Sequence, residues 1–305
     1  MTEETQPAPT EKPATTIGEL VTASVAGSVE AIREHEAGLR AGQDPDHVRK
    51  TRVALRRLRS NLGTFDEFLD EDALGALLEE LGVLAGELGA LRDREVLAAR
   101  LEADAAHLPV ADRPVAGQVV DQLRSQIGVA RTALNSYLDS EAWPRLLGRL
   151  EKVAARPPLR QSAAQPAAEV AGRLSRDPFS KLRKGVRRLP KKPSDPELHR
   201  IRILAKRSRY AAMAVAPVVG APAQDFAAAA AELQTILGEH QDAVTTEAWL
   251  ESLLLLGPAA FVAGRLAGLE RAAAMHARKD WQAAWEALDA PELRAWMEDP
   301  VAANS

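Results

Sequence analysis

The sequence predicts an all-α fold made of two related helical halves. Three observations carry this reading. Alanine, leucine, arginine and glutamate dominate, and all are good helix formers. Prolines fall between long proline-free stretches, where they interrupt a helix least. No segment sustains the alternation of β-branched residues that marks a half-buried strand. With 305 residues, 46% of them hydrophobic and 27% charged, the chain buries a sizeable core as one large domain or two ordinary ones.

Taken in order, residues 1–16 are polar and rich in Pro, Thr and Glu, the composition of a disordered tail. Helices are predicted at about 17–41, 45–69, 71–104, 112–138, 140–154, 166–189, 196–215, 222–256, 258–278 and 280–298. Asp44-Pro45, Asp195-Pro196 and Gly257-Pro258 place a proline in a first turn, where its missing N–H costs nothing. Residues 156–165, with Pro157-Pro158, read as the linker between a first half at 17–155 and a second at 166–299. A second break falls at 190–196, and 300–305 form a short tail. Trp281, Trp285 and Trp296 read as packing of the last helices.

Composition removes several function classes. With no cysteine, disulfides, thiolate nucleophiles and Cys-based metal sites are excluded. Aromatic residues are 4%, too few for a chain of base-stacking platforms. The apolar run at 253–256 ends at Gly257-Pro258, and no apolar run approaches the roughly 18 residues of a membrane span. The sequence opens Met1-Thr2-Glu3-Glu4, without a basic-then-apolar leader, so the cytoplasm is the expected compartment.

The net charge of −4 hides a segregation. Residues 47–59 hold six cations (Arg49, Lys50, Arg52, Arg56, Arg57, Arg59) and no acid. Residues 176–209 hold thirteen cations against Asp177, Asp195 and Glu197. These windows carry +6 and +10, leaving −20 for the remainder. A basic surface within an acidic body concentrates anions.

The two windows are also related. Arg49, Arg52, Arg56, Arg57 and Arg59 share their spacing with His199, Arg202, Lys206, Arg207 and Arg209, at an offset of 150. Leu88-Gly89-Ala90-Leu91-Arg92-Asp93 matches Leu237-Gly238-Glu239-His240-Gln241-Asp242 at an offset of 149. Two unlike motifs in one order at nearly one offset indicate an internal duplication.

On an ideal helix Arg49, Arg52, Arg56 and Arg59 fall within about 80° of one another. Val48, Leu55, Leu58, Leu62 and Phe65 lie opposite, so this helix buries one stripe and shows guanidinium groups on the other. His199, Arg202, Lys206 and Arg209 repeat the pattern, with Leu198, Ile201, Leu204 and Ala205 opposite. Lys181, Lys184, Arg188 and Lys191 make a third stripe. A single basic face is most simply solvated surface. Surface helices, however, usually mix signs to gain i,i+4 pairs, and these faces have almost no acids. A pseudo-twofold arrangement would let the two duplicated helices face one shared cleft. Arginine forks suit phosphate oxygens. Tyr210 is the one aromatic interleaved with the cations, and no Gly-rich phosphate loop occurs, so a featureless phosphate chain fits better than a nucleic acid or a nucleotide.

The patterns at 199–210 (His-x-x-Arg-x-x-x-Lys-Arg-x-Arg-Tyr) and 52–59 (Arg-Val-Ala-Leu-Arg-Arg-Leu-Arg), with the elements at 88–93 and 237–242, resemble the CHAD domain, the conserved histidine α-helical domain. The resemblance covers roughly 17–290. It implies two four-helix bundles related by pseudo-symmetry around a basic central pore or groove. It also implies binding of inorganic polyphosphate and recruitment to polyphosphate granules. The family often follows a triphosphate-hydrolysing CYTH domain; sixteen polar residues leave no room for one, so a stand-alone CHAD protein is expected. One position departs from the family: Arg49 stands where the first half should carry histidine, and His47 lies about 200° away. Arginine keeps the charge but loses the titration near neutrality.

The resulting candidate contacts are Arg49, Arg52, Arg56, Arg57, Arg59, Lys181, Lys184, His199, Arg202, Lys206, Arg207 and Arg209. Asp93 and Asp242 are read as orienting arginines, with Tyr210 in support, and Gly89 and Gly238 as permitting close helix approach. The remaining histidines show no ligand spacing, and no Ser/His/Asp constellation is readable, so no metal, cofactor or enzyme activity is expected. A polyphosphatase would usually need carboxylate-held metal rather than a basic groove. The alternatives are a nucleic-acid or other polyanion binder, an enzyme on condensed phosphate, and a scaffold whose acidic exterior meets a protein partner. A monomer is expected.

Overall fold

The computed structural model describes residues 16–42, 44–253 and 256–298, so the predicted tails fall outside it except for Thr16. Among the described residues there are eleven α-helices and no strand. The first half holds α1 (Ile17–Glu34), α2 (Glu36–Ala41), α3 (Pro45–Thr64), α4 (Glu71–His107), α5 (Arg113–Asp139) and α6 (Ala142–Ala155). The second holds α7 (Ala167–Arg187), α8 (Asp195–Val219), α9 (Ala221–Ser252), α10 (Pro258–Leu288) and α11 (Pro291–Arg294). Helix starts recur at one spacing: 17 and 167, 45 and 195, 71 and 221.

Local chemistry explains the starts. On α1, Thr16 Oγ1 accepts from the Glu19 backbone N–H at 3.3 Å, and the Thr16 N–H donates to the Glu19 carboxylate at 3.1 Å. On α8 the Ser194 N–H and hydroxyl both donate to the Glu197 carboxylate, at 2.7 and 2.8 Å, with Pro196 in the first turn. Asp44 caps α3 ahead of Pro45, and Gly257, at φ 61°, precedes Pro258 on α10. That positive φ is open to glycine without a Cβ penalty.

Five of the predicted helical stretches differ in the structure. The helix predicted at 45–69 ends at Thr64 and is followed by a 3-10 turn at 66–68. The helix predicted at 17–41 breaks at His35. The break seats the His47 ring against Gly38, where any Cβ would collide with it, and sets His35 edge-on to His47 at 5.4 Å. α8 runs past Pro217, which sits in its last turn, and stops only before Gly220 at φ 79°. Residues 254–255, within the helix predicted at 222–256, lie outside the described residues; α9 ends at Ser252. The helices predicted at 258–278 and 280–298 are instead one helix to Leu288, then α11 and a 3-10 turn at 295–297. Continuity around 279 places Arg278 where it donates to the Pro193 carbonyl at 2.6 Å and pairs with Asp195, fixing the entry to α8.

The 156–165 segment is tied down rather than free. Asp70 N–H donates to the Pro158 carbonyl at 2.9 Å, Arg160 N–H to the Phe68 carbonyl at 2.8 Å, and Ile17 N–H to the Gln165 carbonyl at 3.0 Å. Ala163 is buried beside Gly18.

Three apolar clusters hold the chain together. The first joins α1, α3, α4, α6 and the start of α7. The second joins α7, α8, α9 and α10, with Trp281 and Trp285 buried in it. Trp296 packs against both, its ring 6.3 Å from Phe226. The third unites the far ends of α4 and α5 with those of α9 and α10, through Leu101, Val119, Leu123, Val262 and Leu266. The two halves therefore share core at both ends. Burial of this kind contributes about 25 cal/mol per Å² and outweighs helix propensity as the source of helix stability. Among the described residues no helix is long and apolar enough to cross a membrane.

Candidate functional site

The site follows from how α3 and α8 bury their apolar faces. Val48, Leu55, Leu58, Leu62 and Phe65 are all buried in the first cluster, and Leu198, Ile201 and Ala205 in the second. With those faces turned inward on opposite sides, the basic faces meet, and α3 packs directly against α8. Leu204 departs from the predicted buried face: it is half-buried and lines the space between the helices.

That space is a cleft of about 770 Å³ walled by α3, α7, α8 and the 3-10 turn at 66–68. Seven of the predicted contacts line it: Arg52, Arg56, Arg59, Lys181, Arg202, Lys206 and Arg207. The other five lie outside its lining. Arg49 is exposed, its Nε 2.7 Å from Asp46 on its own first turn. Arg57 and Lys184 are exposed elsewhere on their helices. Arg209 turns toward α9, 3.3 Å from Gln234 Oε1, with its guanidinium 5.8 Å from the ring of the buried Tyr210. His199 is half-buried with Nδ1 unpartnered.

The cleft also holds Arg173, Ser60 and Thr64, which the sequence reading missed. The signal was present: Arg173, Asp177 and Lys181 are spaced i,i+4 on α7, and Arg56, Ser60 and Thr64 on α3. Arg173 pairs with Glu67 at 2.5 Å. In all, eight cations face three carboxylates, Asp66, Glu67 and Asp177. Only Arg52 and Arg173 among these cations form an ion pair with a described carboxylate.

The pairing of Arg52 shows how the cleft is organised. Its Nη2 lies 3.0 Å from Asp93 Oδ1. Gly89, one turn before Asp93, leaves room for the guanidinium: a Cβ there would stand 3.0 Å from Arg52 Nη1. The glycine thus admits an arginine fork rather than a neighbouring helix. Arg202 lies over Gly238 more loosely, 3.7 Å from where a Cβ would stand. Its Nε is buried without a hydrogen-bond partner, and no ion pair joins it to Asp242 among the described residues. Burial pushes the Asp242 carboxyl above its ordinary range, with the Arg202 charge opposing.

Protonation directions separate the cations crowded between α3 and α8 from arginines held by carboxylates. Hydrogen bonds to Asp121 and Glu102 raise Arg124, and Glu67 raises Arg173. Arg100 is raised by Glu270 and Glu239 although burial works against it. Arg52 is instead lowered, by burial first and then by Arg56 and Arg92, against the pull of Asp93. Lys206 is pushed down to about 8, by burial and then by Arg56, Arg202, Arg52 and Arg207. Crowded cations without counter-charges repel one another, and a chain of anionic oxygens would relieve that.

A second groove, of about 790 Å³, lies between α1 and residues 159–164. Small and apolar residues such as Ala23, Ala26 and Ala163 dominate it, and it gathers no cluster of cations. Among the described residues no group of three or more His, Asp or Glu is placed to hold a metal ion.

Comparison with known proteins agrees with this architecture. Two Mycobacterium tuberculosis proteins, the uncharacterized proteins MT2285 and Rv2226, are each 30% identical over 257 residues, covering 80% of this chain and 48% of theirs. The chain thus spans about half the length of these curated relatives. Its fold is similar to that of PptA from Streptomyces chartreusis, with a TM-score of 0.72, 20% identity, and coverage of 90% of this chain and 100% of that one. It is also similar to the CHAD domain from the plant Ricinus communis, with a TM-score of 0.65, 23% identity, and coverage of 94% and 93%. The CHAD domain family matches residues 23–251, well over half of the sequence, and the chain belongs to that family, which is linked in general to polyphosphate-related proteins.

Proposed function

We propose that this protein binds inorganic polyphosphate in the α3–α7–α8 cleft without turning it over. The observation that carries the proposal is the cleft's eight cations against three carboxylates, only two of the eight being ion-paired. Arg52 and Arg202, and Arg56 and Lys206, stand at positions 150 residues apart on helices whose starts share that spacing. This supports reading α3 and α8 as copies of one duplicated unit that present their cations to one ligand.

Polyphosphate suits the cleft because it offers charge at every repeat and no base to stack. The aromatic residue nearest the cations in sequence, Tyr210, is buried. Such binding in the cytoplasm would bring the protein to polyphosphate granules. Phosphoryl transfer would require stabilisation of the attacking and leaving oxygens as well as the chain, normally from bound divalent metal. The test is equilibrium binding of long-chain polyphosphate together with an orthophosphate-release assay in magnesium and in manganese. Saturable binding with no release above the protein-free rate is the expected result. Catalytic release would replace the proposal with an enzyme acting on condensed phosphate.

A further inference from the structure

The basic surface does not stop at the cleft wall. From 178 to 194 there is no acid, and seven cations. Arg183 pairs with Asp289 at 3.0 Å. The other six, Lys181, Lys184, Arg187, Arg188, Lys191 and Lys192, are exposed and form no ion pair or side-chain hydrogen bond among the described residues. Lys181 lines the cleft. Lys184 and Arg188 follow it at 3-4 spacing along one face of α7, beyond the cleft lining.

The helix dipole accounts for part of this. Cations in a last turn gain about 0.3–1 kcal/mol, which suits Arg187 and Arg188. It does not reach Lys191 and Lys192, which lie past the helix end. Those two stand on an anchored backbone. The Leu189 N–H donates to the Val186 carbonyl at 3.0 Å, and Pro193 is buried with its carbonyl accepting from Arg278 at 2.6 Å. The Ser194–Glu197 cap fixes the following turn. The inner side of α7 is equally settled, with Phe179 and Leu182 in the second core and Gly185 against Ile201 and Leu204. The backbone that carries the outer charges is therefore fixed by packed structure.

We propose that this face of α7 and the 188–194 loop form an outer contact site, along which a polyphosphate chain leaving the cleft at Lys181 continues to Lys191 and Lys192. The inference rests on the cleft reading and adds a consequence: the protein discriminates by chain length. A short oligophosphate fills the cleft alone. A long one also engages the outer cations and releases their counterions.

The test compares tripolyphosphate with long-chain polyphosphate, on wild type and on the triple variant Arg188→Gln, Lys191→Gln, Lys192→Gln, at near-physiological salt where the Debye length is about 8 Å. Glutamine keeps helix and loop chemistry, and circular dichroism checks folding. The expected result is a loss of about tenfold for the long chain, with its salt slope reduced by roughly 2–3, and little change for tripolyphosphate. Equal losses for both ligands would show that the charges act only through the general field, and would overturn the outer site. Unchanged long-chain affinity would do the same. Capture of phosphatidylserine vesicles that the triple variant abolishes, with long-chain affinity intact, would assign the face to a membrane surface instead. Wild type binding neither phosphate would refute the cleft reading itself, an outcome separate from all of these.

Discussion

Lys206 offers a test in which stability and binding should move in opposite directions. Its ammonium stands among Arg52, Arg56, Arg202 and Arg207, without a carboxylate partner among the described residues, and is pushed from 10.5 to about 8. A displacement of that size corresponds to roughly 3 kcal/mol of burial and repulsion, and screening by the water it still meets brings this to about 1.5 kcal/mol. Lys206→Met keeps the length of the side chain and removes the charge. At pH 7 the variant should therefore be about 1–2 kcal/mol more stable than wild type, a rise in Tm of roughly 2–3 °C. The sign follows from protons bound. Between about pH 8 and 10.5 the unfolded lysine holds its proton and the folded one has lost it, so wild-type stability rises through that window. The advantage of the variant should shrink accordingly. Polyphosphate reverses the balance, because bound oxygens favour the charged ammonium. Wild type should take up a proton on binding near pH 8, and Lys206→Met should bind about tenfold more weakly at pH 7, with the gap closing above pH 9. Urea unfolding and calorimetric titration at three pH values measure both sides. A variant that is less stable and binds equally well would refute the argument that uncompensated charge is held there for an anion.

Other substitutions follow from the same geometry. Arg52→Glu with Arg202→Glu should abolish polyphosphate binding while leaving helicity intact; unchanged affinity would move the site elsewhere. Gly89→Ala should displace the Arg52 fork from Asp93 and weaken binding several-fold, whereas Gly238→Ala, with ordinary contact distance to Arg202, should bind like wild type; equal effects at both sites would remove the positioning role of Gly89. Arg100 Nε lies 2.6 Å from Glu270, which is 0% exposed and whose carboxyl burial raises to about 7. Arg100→Met should cost about 3–5 kcal/mol at pH 8, where Glu270 needs its partner, and less at pH 5, where a protonated carboxyl does not; a cost independent of pH would contradict the buried-pair reading.

Residues with strong local chemistry were the legible ones. Asp44-Pro45 and Gly257-Pro258 start helices because a cap and a proline act within one turn. The buried stripe of α3 follows from a 3.6-residue period, and the same period put Arg52, Arg56, Arg202 and Lys206 on facing surfaces. What the sequence did not disclose depends on distant partners. His35 breaks a helix because His47 must sit on Gly38. Arg209 leaves the cleft because Gln234, on another helix, accepts its hydrogen bond. The shared cluster at the ends of α4, α5, α9 and α10 joins residues more than 100 positions apart, which no window-based periodicity registers. Arg173 is the exception: its i,i+4 spacing to Asp177 and Lys181 was legible, and only its pairing with the remote Glu67 was not.

The most direct test of the central claim is titration of the protein with long-chain polyphosphate at two salt concentrations, with single-stranded DNA at equal phosphate as competitor. Polyphosphate should bind tightly, with an affinity that falls steeply with salt as several cations are neutralised, and DNA should compete weakly. Absence of binding, or equal competition by DNA, would contradict a cleft built for a featureless phosphate chain.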